Sequence, residues 1–158
     1  PAGGAKGAKA VSTILTGRDN QLPIVLLDSD EAGRAFAKKL RDELYAASTD
    51  RVLSVGSFTT LPDAEIEDLI PADFIVATVD RWCRNVEQPF EDVYAPGKPI
   101  VPQIETWAGQ QGIELKKPGW KAELAKVAKP RLLQLRSADL AASIPTWERL
   151  FKAMQSGE

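Results

Sequence analysis

Residues 24–34 read IVLLDSDEAGR: four apolar residues, Ile24 to Leu27, run into Asp28 and Asp30 with Glu31 directly behind. Preceded by Pro23, the apolar run is short enough for a buried strand. A carboxylate at the end of such a strand is costly unless a hydrogen bond, a cation or a metal compensates it. Asp30 stands where a helix N-cap would. Ala32, Phe36, Leu40 and Leu44 follow at four-residue spacing, which predicts an amphipathic helix over about 31–47. Arg51 to Val55 (RVLSV) reads as a second strand. Strand, helix and strand in that order predict a parallel βαβ unit, hence an α/β fold with a parallel sheet flanked by helices. Two strands are few for such a sheet, so part of it is expected to lie outside this sequence.

Outward from that unit, the opening PAGGAKGAKAVSTILTG suggests a glycine loop and a helix from about Lys6 to Leu15, closed by Gly17. It lacks the Gly-Lys-Ser/Thr ending and the preceding strand of a phosphate loop, so it is read as a lead-in. A short helix over about 64–70 ends at Pro71, and a third over 73–84 carries Phe74, Ile75, Val79 and Trp82 on its apolar side. Residues 87–102 contain four prolines (Pro89, Pro96, Pro99, Pro102) and are expected to form a long loop. Helical patterns close the chain near 103–111, 120–129 and 145–155. These patterns divide the chain at 86/87, into a core (1–86) and a proline-rich loop with a helical C-terminal extension (87–158).

Composition narrows the chemistry. The 158 residues are 44% hydrophobic with a formal net charge of −2, as in an ordinary folded domain. The single cysteine, Cys83, excludes an internal disulfide, and the absence of histidine excludes Ser-His-Asp triads, Cys-His dyads and imidazole metal sites. Chemistry must run on carboxylates, Lys, Arg, Ser and Tyr. No apolar run approaches the ~20 residues of a membrane span, and no secretory signal is visible, so a cytoplasmic location is expected. The first residue is Pro rather than Met, which suggests a fragment of a longer protein.

The charges are unevenly spread. Asp63, Glu65, Glu67 and Asp68 stand together without a base, whereas Lys116, Lys117, Lys121, Lys126, Lys129, Arg131 and Arg136 face one acid, Glu123. Ligands bind at the carboxyl edge of open parallel sheets, where Asp28 is expected. Mg²⁺ takes oxygen ligands, often one or two carboxylates completed by water and phosphate oxygens. Asp28 and Asp30 are therefore candidate metal ligands; the bland alternative makes Asp30 a helix cap and Asp28 an acceptor of backbone hydrogen bonds. In LPDAEIEDLIP a helical wheel sets Ile66, Leu69 and Ile70 on one side, with Glu65, Glu67 and Asp68 on the other. Following the second strand, these acids would emerge at the same sheet edge, as further metal ligands or as a solvated helix start. Lys121, in the first turn of its helix, suits a nearby anion, while the basic run as a whole could track a phosphate backbone. Trp82, Trp107, Trp120 and Trp147 are read as packing residues, and Cys83 as an inert buried thiol. Ser29 has no base partner and is a poor nucleophile.

The ordered set VLLDSDEAG, EIEDL and WKAELA resembles the Toprim domain, the metal-binding fold of topoisomerases, primases and some nucleases. The closer similarity is to the Toprim region of the OLD (overcoming lysogenisation defect) family of endonucleases, and it covers Pro1 to about Lys129. That resemblance implies two-metal hydrolysis of DNA with Mg²⁺ or Mn²⁺. Asp28 and Asp30 would match the DxD ligands, Glu65, Glu67 and Asp68 the later metal motif, and Lys121 the late active-site lysine, with Lys117 as fallback. It also implies DNA, the ATPase domain of the parent protein and, in a homodimer, a second copy as partners. A Toprim domain begins with a glutamate-bearing strand that this chain lacks before Pro1, so the fragment alone is expected to act poorly. A non-catalytic interaction module and a phosphoryl-transfer domain with an aspartyl nucleophile are the alternatives.

Overall fold

Two short strands, β1 (Val25–Leu27) and β2 (Val52–Ser54), pair in parallel with Val25 opposite Val52, Leu26 opposite Leu53 and Leu27 opposite Ser54. The structure, a computed structural model, describes residue 7 and residues 9–14, 22–116 and 119–155. Helix α1 (Glu31–Asp42) connects the strands, so the expected βαβ unit is present, and among the described residues its sheet has only these two strands. The remainder is mostly helical: α2 (Ala72–Trp82), α3 (Ile100–Gln110), α4 (Trp120–Leu132), α5 (Ser137–Leu140) and α6 (Ile144–Gln155).

Alternation along a strand sends successive side chains to opposite faces of the sheet. Val25, Leu27 and Val52 pack with Ala37, Leu40 and Tyr45 around α1. Leu26 and Leu53 instead pack with Val55, Phe58, Leu69 and Leu150, the last from α6. The final helix is therefore the second cover of the sheet and not an appended extension. Trp147 Nε1 donates to the Leu69 carbonyl at 2.6 Å, and Arg149 to the Phe58 carbonyl at 2.9 Å, which fixes the helix in place.

Helix α1 stops at Asp42, short of the expected 47. Tyr45 explains the difference. Its ring is fully buried, and its hydroxyl binds the Pro23 carbonyl at 2.8 Å and Ser12 Oγ at 3.0 Å. Reaching those partners takes the chain out of the helix at Glu43, where the backbone turns to φ −112° and ψ −96°. Residues 9–14 are helical, as expected, and Lys9 pairs with Glu43. The flanks of that expected helix, with Gly17, lie outside the described residues.

The chain divides into two compact units, one ending at Leu69 and resuming at Thr146, the other spanning Ile70–Pro145. Residues 70–86 thus belong with the C-terminal helices rather than with the sheet, because Phe74, Ile75, Val76 and Val79 of α2 share a core with α3 and α4. The 87–102 segment is more ordered than its prolines suggest. Phe90 is fully buried in a short 3-10 turn whose first amides are held by the Asp80 carboxylate. Helix α3 begins at Ile100, with Pro102 in its first turn, where no intrahelical N–H is required.

Candidate functional site

The loop that leaves β1 stitches three segments together. Asp28 Oδ1 accepts the Ile66 N–H at 3.0 Å, and the Ser29 N–H donates to the Ala64 carbonyl at 2.8 Å. Ser29, 4% exposed, accepts the Gly56 N–H on its hydroxyl oxygen at 2.7 Å. Asp30 caps α1, its Oδ1 accepting the Gly33 N–H at 2.6 Å. From α1, Arg34 reaches both the Ser29 carbonyl and the Asp63 carboxylate. The DSD loop and the acidic turn, 38 residues apart in sequence, are thereby brought together at the carboxyl end of β1.

Two glycines make this approach feasible. A Cβ on Gly33 would stand 2.0 Å from the Asp28 carbonyl oxygen, and one on Gly56 would stand 2.9 Å from Ser29 Oγ. Periodicity and spacing assign no role to Gly56 or Arg34, and mark Asp63 only as one of four clustered acids. Gly33 carried a usable signal: a residue without a side chain at the third helical position after an Asp cap.

The acidic turn does not take the form the helical wheel predicts. Residues Ile66–Leu69 form a 3-10 turn, not an α-helix. Glu65 is 8% exposed, whereas Ile66 is 52% exposed, so the apolar and acidic positions are partly exchanged. The reason is local. Asp68 Oδ2 accepts the Glu65 N–H at 2.9 Å, and Asp28 holds the next amide, which turns Ile66 outward. Glu67 Oε2 is also shielded from solvent. A solvated acidic face is thus excluded for Glu65.

Lys121 sits in the first turn of α4, within the second unit, while the five acids sit in the first. Lys117 lies outside the described residues. The basic run is largely engaged within its own unit. Arg131 donates to Thr78 Oγ1 at 2.6 Å and stands 5.4 Å from the Phe74 ring centre. Lys126 pairs with Glu123 at 2.7 Å and Arg136 with Asp139 at 3.0 Å. The Asp139 carboxyl is held below its usual range by the Arg136 guanidinium.

Among the described residues, no group of three or more Asp, Glu or Cys side chains is arranged to hold a metal ion. Asp28 and Asp30 each give one oxygen to a backbone amide, and the second oxygen of each accepts no hydrogen bond from a described residue. Two oriented carboxylates are what Mg²⁺ commonly takes from a protein when water and substrate phosphate supply the rest. They do not make a closed cage.

Comparison with protein-family models, curated proteins and solved structures finds no match in any of the three. Among the described residues no helix is long and apolar enough to cross a membrane.

Proposed function

We propose that the Asp28–Asp30 loop and the acidic turn are the acidic half of a Mg²⁺- or Mn²⁺-dependent site for phosphodiester hydrolysis in DNA, of the kind the Toprim and OLD-family resemblance implies. The observation that carries this reading is the Asp28 to Ile66 hydrogen bond, which docks the two acidic segments against each other. Asp28 and Asp30 would hold the cation, with Glu65, Glu67 and Asp68 shaping the field around it. When bound, such an ion polarises a phosphate and lowers the pKa of water. The chain's own work is orientation: each aspartate is pinned by a backbone amide, and Ser29, Gly56 and Arg34 hold the loops that carry them. In that resemblance Lys121 matches the late active-site lysine. In this reading an ATPase domain is a partner, and the site acts in the cytoplasm.

Binding of Mn²⁺ followed by electron paramagnetic resonance, alongside nicking of supercoiled plasmid, tests the reading. Asp28→Asn and Asp30→Asn should each abolish most of the Mn²⁺ binding while the fold persists. Unchanged binding and nicking in both variants would overturn it. One observation favours a second reading, a scaffold without chemistry: the acids serve backbone amides, and the described residues form no ligand cage. That reading expects no Mn²⁺ binding by the wild-type chain.

A further inference from the structure

A cavity of about 430 Å³ opens within the second unit between the end of α2 and the start of α4. Its volume falls in the ~300–1,000 Å³ range of small-molecule sites. The wall is aromatic. Trp82 and Trp120 stack with ring centroids 6.5 Å apart and planes 15° from parallel. Trp120 is 4% exposed and belongs to the core, so it acts as a fixed backing, while Trp82 is only half-buried and lines the opening. Ile113 and Leu115 add apolar surface.

The rim is charged. Arg84 and Lys116 line it, both exposed, and neither forms an ion pair with a described residue. Arg84 makes one side-chain hydrogen bond, from Nε to the Arg81 carbonyl at 3.3 Å, which leaves its terminal nitrogens available. Two acids share the rim, Glu114 and Glu123, and Glu123 is already neutralised by Lys126 at 2.7 Å. The balance of charge at the opening is positive. An aromatic wall beside uncommitted cations is the combination that binds a base through its π-face and its phosphate through charge.

We propose that this cavity binds a nucleotide, its base against Trp82 and its phosphate toward Arg84 and Lys116. The proposal stands apart from the metal site, since every residue it uses lies in the other unit. Stacking is indifferent to base identity, so little discrimination among bases is expected. The ligand could be a free mononucleotide or one nucleotide of a single strand, and the two are separable by experiment.

Cys83, the only cysteine in the chain, lines the same cavity and reports on its occupancy. In the full chain, its rate of alkylation by iodoacetamide is measured against rising dTMP, against an oligo-dT strand and against thymidine, which lacks the phosphate. Protection by dTMP supports a mononucleotide site, and protection by oligo-dT alone supports a strand-binding site of the same chemistry. In either case Arg84→Ala combined with Lys116→Ala should weaken protection roughly tenfold or more, because charge-assisted contacts are lost. Both positions are exposed, so the variant is expected to fold, and circular dichroism checks it. Protection by neither ligand at millimolar concentration overturns the proposal. So does equal protection by thymidine and dTMP, or protection that the double variant leaves unchanged.

Discussion

Gly33→Ala places the argument about the DSD loop under direct strain. Alanine normally stabilises a helix interior relative to glycine, by about 0.5–1 kcal/mol. At position 33 the new Cβ would lie 2.0 Å from the Asp28 carbonyl oxygen, 2.8 Å from its carbon and 2.9 Å from Asp30 Oδ1. Two of those atoms are backbone, so no rotamer change relieves the clash. Overpacking of this kind costs about 1–3 kcal/mol or more. Moving Asp30 aside also weakens the cap it makes to the Gly33 amide, worth about 1 kcal/mol. The net expectation is a loss of about 1–3.5 kcal/mol after the helix gain is subtracted. Urea unfolding followed by circular dichroism measures it, with hydrogen exchange of the β1 and β2 amides as the local readout. Gly109 supplies the control: it lies within α3, and a Cβ there meets nothing within 4 Å. Gly109→Ala should therefore leave stability unchanged or raise it by up to about 1 kcal/mol. A Gly33→Ala protein as stable as the Gly109→Ala protein would refute the packing of the loop against α1, and with it the orientation of both aspartates.

Other outcomes follow from single contacts. Tyr45→Phe removes the hydroxyl that binds Pro23 and Ser12 and should cost about 1–2 kcal/mol in the same urea assay. Arg131→Met should cost about 1–3 kcal/mol, since it gives up the Thr78 hydrogen bond and the contact with Phe74, and it should leave Mn²⁺ binding untouched. Cys83 has its thiol pKa raised, first by burial and then by the Asp80 charge, so its alkylation should rise at higher pH than that of a free thiol. The sign for stability follows. A raised folded-state pKa stabilises below the unfolded pKa and loses that contribution as pH climbs through the folded value, so Cys83→Ser should flatten the alkaline fall in stability. Asp28→Asn, with an oxygen still able to accept the Ile66 amide, should hold stability within about 0.5 kcal/mol while losing Mn²⁺.

The βαβ unit was legible because its signals are local. An apolar tetrad, an Asp cap and a four-residue spacing each act within one turn or strand, and β1, α1 and β2 fall where they predict. What escaped was set by distant partners. Nothing in IPTWERLFKAMQ says that Leu150 will cover Leu26 and Leu53, since periodicity gives an apolar face and not its destination. Helix α1 ends before its apolar spacing does because a buried tyrosine hydroxyl outweighs helical continuation. Helix α3 starts within the proline-rich segment because prolines that break helices internally are tolerated in a first turn. In the acidic turn, a helical wheel could not describe a 3-10 turn whose amides are claimed by Asp28 and Asp68.

That claim on the amides bears on how the acids can be tested. A carboxylate has two oxygens, and Asp28 and Asp30 each commit one to a backbone N–H. The commitment fixes the direction of the other oxygen, and a cation gains from donors that need no reorganisation on binding. It also means that replacing Asp with Ala removes a loop fastener together with a charge. A loss of activity in Asp28→Ala would therefore follow equally from a displaced acidic turn and from a missing ligand. Asn separates the two, because it preserves an acceptor and removes only the charge. If Asp28→Asn and Asp28→Ala behave alike toward Mn²⁺ but differ in stability, the charge is the functional element and the hydrogen bond is its mounting. If Asn behaves as the wild type in both respects, the aspartate serves the backbone alone.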